Sequence, residues 1–129
     1  MKGEIFSFSV SFLLFVNLTI FPRLWYNIFM KIQITAMRKT MYPDLMEKYE
    51  NPIEHTCDIE VGQTFISEDG ERPQDLCESA WESMAYFVRT LAAGGGNFYD
   101  GWMKNPRSAM ISCNDGFRPV SFLLEVIEE

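Results

Sequence analysis

The stretch 75–96, DLCESAWESMAYFVRTLAAGGG, limits what this chain can fold into more than any other. At about 100° per residue, Leu76, Cys77, Ala80, Trp81, Met84, Ala85, Phe87, Val88, Leu91 and Ala92 fall on one arc. Asp75, Glu78, Ser79, Glu82, Ser83, Arg89 and Thr90 share the other, where Tyr86 is the only aromatic. An apolar arc about half the circumference wide exceeds a coiled-coil seam and suits a helix laid across a sheet. The spacing predicts a helix over about 75–93. Asp75-x-x-Glu78, after Pro73, resembles a capping box, and Gly94, Gly95 and Gly96 offer the left-handed residue that ends a helix. Trp81, Phe87 and Leu91 would each contribute about 1.5–3 kcal/mol by leaving water, so the stripe reads as a core face rather than a cofactor box. The glycines follow a helix C-terminus, whose dipole repels anions, so they do not form a phosphate cradle.

Around this helix the pattern alternates. Residues 31–39 set Ile32, Ile34 and Ala36 against Lys31, Gln33 and Thr35, the period of a half-buried strand. Pro43 opens a short helix over 43–50, with Leu45, Met46 and Tyr49 on one side, which Asn51-Pro52 stops. Residues 61–67 read as a second strand before a turn at Glu68-Asp69-Gly70. Strands over 109–113 and 119–127 flank the turn Asn114-Asp115-Gly116, and the last is apolar on both faces, as an interior strand or a doubly covered one would be. The order β-α-β-α-β-β predicts an α+β fold, a small antiparallel or mixed four-stranded sheet with the 75–93 helix on one face.

Residues 1–29 differ in composition from the rest. The run 5–21 is apolar, broken only by serines, Asn17 and Thr19, and sits at the short limit for a membrane span. It reads first as an extension upstream of a natural start at Met30, second as a membrane anchor, and third as a signal peptide, although Glu4 offsets Lys2 and no small-residue cleavage pattern follows. As an anchor it would leave the globular part, residues 30–129, on the cytoplasmic side, given Arg23, Lys31, Arg38 and Lys39. The extension and anchor readings thus agree on a cytoplasmic location for a single α+β domain.

Charge narrows the partners. The chain has 11 basic and 18 acidic residues, and removing Lys2, Arg23 and Glu4 with the leader leaves 9 against 17. No basic cluster interrupts this excess, which disfavours nucleic acid and anionic membrane surfaces. A membrane partner is expected only if 5–21 is a genuine anchor. Otherwise the partner is a protein or a small molecule.

Two constellations bear on function. His55, Cys57, Cys77 and Cys113 have the types of a Cys₃His shell for zinc or iron, but no C-x-x-C pairing. Three widely spaced cysteines are a poor disulfide framework and fit a reducing compartment. The alternative is that they are core thiols, Cys77 on the apolar arc and Cys113 on a strand face with Ala109 and Ile111. If one reacts, Cys77 at a helix N-terminus is the better candidate. The loop 97–106, NFYDGWMKNP, holds Phe98, Tyr99 and Trp102, which either form a binding surface or fold back over the core edge. No nucleophile motif accompanies His55, and the carboxylates Glu68, Asp69, Glu71, Asp75, Glu78 and Glu82 read as a solvated face.

Four motifs follow in order: Cys57-x₄-Gly62-Gln63-x-Phe65, Cys77-x₂-Ala80-Trp81, Trp102-Met103-Lys104-Asn105-Pro106, and Cys113-Asn114-Asp115-Gly116-Phe117-Arg118-Pro119-Val120. Over residues 30–127 the chain resembles a family of small bacterial and archaeal proteins for which no activity is established. The resemblance implies a start at Met30, a cytoplasmic location and cysteines at all three positions. Taken together, the sequence points to a non-catalytic binding or interaction module with no cofactor. The alternative is a Cys/His metal-binding or thiol-redox protein.

Overall fold

The alternation in 31–39 becomes β1 (Lys31–Lys39), with Ile32, Ile34 and Ala36 fully enclosed. The computed structural model describes residues 29–54 and 56–127. After β1 come α1 (Pro43–Tyr49), β2 (Thr64–Ser67), α2 (Glu78–Ala92), β3 (Ser108–Ser112) and β4 (Val120–Ile127). The strands form one antiparallel sheet in the order β2-β1-β4-β3. The fold is α+β, and α2 lies across one face. β4 is interior, paired with both β1 and β3; Val120, Phe122 and Leu124 on one side are buried, whereas Leu123 and Ile127 on the other are half-buried.

Register builds the core in rows. Phe65, Ile34, Leu124 and Ala109 stand opposite one another across all four strands, and Ala36, Phe122 and Ile111 form the next row. Onto these press Leu76, Ala80, Trp81, Met84, Val88, Leu91 and Ala92, all buried. The predicted arc is therefore the face that leaves water. Ala85 and Phe87 pack at its margin. Among the described residues no helix is long and apolar enough to cross a membrane.

Several boundaries differ from expectation for identifiable reasons. The helix starts at Glu78, not Asp75. Its N-cap is Cys77, extended at φ −66° and ψ 154°, and no side-chain cap forms, so the Asp75–Glu78 box is not made. Leu76 is buried without being helical: its N–H donates to Pro73 O, and Arg72 Nη1 donates to its carbonyl. β2 is shorter at its start because Gly62, at φ 95°, turns the chain there. That turn locks onto β1, with Gly62 N–H donating to Ala36 O and Ala36 N–H to Gln63 O. α1 forms with Pro43 in its first turn, yet none of its residues is buried. Its apolar side, with Leu45 and Tyr49, remains exposed.

The end of α2 follows the glycine signal. Gly94 N–H donates to Leu91 O and Gly95 N–H to Thr90 O, the paired bonds of a Schellman cap, with Gly94 at φ 100°. Gly96 is needed for a different reason. A Cβ there would sit 2.4 Å from Pro106 O, where the two stems of the following loop meet.

Candidate functional site

The direction of α2 sorts the candidate residues to two ends of the molecule. Its C-terminus lies beside the start of β1, since Met30 N–H donates to Ala92 O at 2.9 Å, and beside the start of β3, since Arg107 Nη2 donates to Leu91 O at 3.2 Å. Its N-terminus lies by the end of β3, where Asn114 Nδ2 reaches Ser79 O at 3.4 Å. The loop aromatics belong to the first end. The three cysteines belong to the second.

At the aromatic end, the loop from Gly96 to Arg107 is closed on itself. Asn97 N–H donates to Pro106 O at 2.7 Å, Gly101 N–H to Asn97 Oδ1 at 3.0 Å, and Arg107 N–H to Asn105 Oδ1 at 2.9 Å. The buried Ser108 hydroxyl is satisfied by Asn105 O. Asn97, Tyr99 and Asp100 all hold positive φ, 52–53°, a conformation unfavourable for a bulky residue such as Tyr99. Phe98 corrects an expectation: at 8 % exposure it is not part of the surface. Because its neighbours turn left-handed, its ring points inward against Phe87, centroids 4.9 Å apart. It is the root of the loop, while Tyr99 at 73 % and Trp102 at 43 % exposure point outward.

Tyr99 and Trp102 pack edge to face at 5.2 Å, and Tyr86 does the same with Phe87. Such geometry adds about 0.5–1.5 kcal/mol per pair beyond burial. Tyr86, 69 % exposed, completes the surface from the helix. Between Tyr86 and Tyr99 lies a cleft of about 450 Å³ floored by Phe87 and Phe98 and walled by Thr90 and Asn97. Sequence reasoning noted Tyr86 without assigning it a role, and its signal was being the lone aromatic on a polar arc.

At the thiol end, a bulge between Ala36 and Arg38 resets β1, so that Lys39 stands opposite Val120. Lys39 Nζ donates to Ile59 O at 2.6 Å, tying down the loop that carries Cys57. A cleft of about 260 Å³ is lined there by Lys39, Thr40, Met41, Thr56, Cys57, Arg118 and Val120. Cys57 and Cys77 are exposed and Cys113 is half-buried, so the expectation of thiols packed as core filler holds only in part, for Cys113. Cys77 is displaced from the core because α2 begins one residue after it. Cys113 Sγ accepts the Val120 N–H at 3.3 Å, and Cys57 Sγ that of Ile59 at 3.4 Å. Among the described residues no group of three or more His, Cys, Asp or Glu side chains is placed to hold a metal ion. His55 lies outside the described residues.

Arg118 is the electrostatic centre of this end, and sequence reasoning gave it no role. Its guanidinium donates to Glu50 at the end of α1 and, at 3.1 Å, to Asp115. Burial acts to raise the Asp115 carboxyl, but N–H bonds from Phe117 and Arg118, with the guanidinium, outweigh it and hold the group below its ordinary 3.8. The bond to Glu50 leads in pushing Arg118 higher, so it stays charged. The cluster fastens a helix that buries nothing of its own.

Comparison with known proteins finds no family model, no curated protein and no solved structure that matches this chain.

Proposed function

We propose that this protein is a non-catalytic binding module whose working surface is the aromatic end, formed by Tyr86, Tyr99 and Trp102. One observation carries the reading. A loop accepts left-handed backbone at Tyr99, buries Phe98 as its root and holds the rings of Tyr99 and Trp102, packed on each other, largely in water rather than in the core. Tyrosine and tryptophan offer large contact area at little entropic cost, and they recur at the centres of binding surfaces. Photo-crosslinking in cells tests this, with p-benzoylphenylalanine placed at Tyr99 or, for comparison, at Tyr49, which is also well exposed. Adducts are expected from position 99 well above those from position 49. Equal yields would overturn the reading.

A second reading, thiol chemistry, is favoured by the exposure of Cys57 and Cys77 at one end of the fold, with Cys57 lining a cleft there. Mass spectrometry after mild oxidation tests it, with a sulfenic acid or a disulfide at Cys57 or Cys77 the supporting result.

A further inference from the structure

We infer that the β3 edge of the sheet is a self-association surface, where β3 of one copy pairs antiparallel with β3 of a second copy about Ile111. The bonds at the two ends of β3 show which of its backbone groups are in use. Val126 N–H donates to Arg107 O, and Cys113 N–H to Val120 O. With the register of β3 on β4, the odd-numbered residues are therefore the ones bonded to β4. The N–H and C=O groups of Ser108, Met110 and Ser112 point away from the sheet. Ser108 is buried with its hydroxyl on Asn105 O, so that end of the edge is closed. Met110 and Ser112 are exposed, and among the described residues no loop backbone bonds to either.

Proteins usually blunt such an edge with charge, proline or a bulge. β3 has none of these: its sequence is SAMIS, and its register on β4 is unbroken. The opposite edge differs. β2 is shorter, follows the turn at Gly62 and runs straight into Glu68 and Asp69, so two copies meeting there would bring acids together. In a chain with 18 acidic and 11 basic residues that repulsion matters. Residues 108–114 carry no charge, and copies of this chain meet there at the least electrostatic cost.

One register uses every open group. Met110 stands opposite Ser112 of the second copy and Ser112 opposite its Met110, each pair exchanging both N–H···O bonds about a two-fold axis. The two Ile111 side chains become the close pair between them, an arrangement that suits β-branched residues and covers the 9 % of Ile111 still open to water. Antiparallel pairing also carries Arg107 of each copy towards Asp115 of the other, opposite in sign. Because β3 runs from the aromatic end to the thiol end, the dimer holds its two aromatic ends apart.

Residue-resolved hydrogen exchange of the full chain, from micromolar to millimolar protein, tests the pairing. The amides of Met110 and Ser112 should exchange freely when dilute and slow by at least about tenfold when concentrated, as sedimentation shows the mass doubling. Those of Ala109 and Ile111, already bonded to β4, should change little. Ser112→Pro removes an outward donor without touching a β4 bond, so it should leave the circular dichroism spectrum intact and return the protein to monomer. Met110→Lys should do the same by blunting the edge with charge, and it serves if proline unsettles the strand. A chain that stays monomeric at millimolar concentration overturns the inference. So does one that associates while the Met110 and Ser112 amides still exchange freely, or whose dimer survives both substitutions.

Discussion

The two ends of α2 carry side chains of similar exposure held in opposite ways. At the aromatic end, order comes from packing: Phe98 is rooted between Phe87 and the core, and the loop above it closes with backbone bonds. At the thiol end, order comes from charge: Arg118 gathers Glu50 and Asp115 and so holds α1, a helix without a single buried residue. Packing of this kind is insensitive to pH and salt, whereas ion pairs near the surface respond to both. One end is a rigid platform, and the other is a latch.

The comparison breaks first at Phe98. Phe98→Ala should destabilise the protein by about 3 kcal/mol in denaturant titrations, since it empties a buried aromatic site. It should also release Tyr99 and Trp102 while leaving the Arg118 cluster intact. Tyr99→Ala with Trp102→Ala removes the outward rings alone and should cost less than about 1 kcal/mol. A large loss of stability in that double variant would mean that the rings serve the fold.

The latch answers to acid. Because the Asp115 carboxyl is held below 3.8 in the folded protein, its contribution is present above the unfolded value and lost as pH falls through the folded one. Stability measured from pH 6 down to pH 2 should thus fall more steeply for the parent than for Asp115→Asn, with the two curves converging below about pH 3.8. Curves that stay parallel would show that the carboxyl does not discriminate the two states. The smallest effect concerns the thiols. Cys57 and Cys77 should react with a water-soluble thiol reagent faster than Cys113, whose sulfur accepts the Val120 N–H at the core's margin.

Periodicity made the sheet and α2 readable because Ile32, Ile34 and Ala36, or Met84, Val88 and Leu91, face the core at their natural spacing. It failed at Cys77 because Leu76 is buried by a turn that imitates one more step of the helix. It failed at α1 for the opposite reason. Leu45 and Tyr49 share a side, but no neighbour covers them, and a pattern cannot show what lies opposite. The loop split between both readings: Phe98 folds back while Tyr99 and Trp102 stand out, a division set by left-handed backbone at Asn97, Tyr99 and Asp100 that composition does not encode. Arg118 was unreadable because, although Asp115 is three residues away, its other partner, Glu50, lies far upstream in the chain.

Pairing of β1 with β4 has a consequence for how the protein is made. The first strand of the sheet cannot find its central neighbour until Ile127 has been synthesised, because β2 covers only its other side. During translation β1, β2 and α2 therefore wait as an incomplete half-sheet with the oily side of the helix unsheltered, and closure is a late, long-range event. A nascent chain halted before residue 120 should bind chaperones avidly, and one carried past Ile127 should let them go.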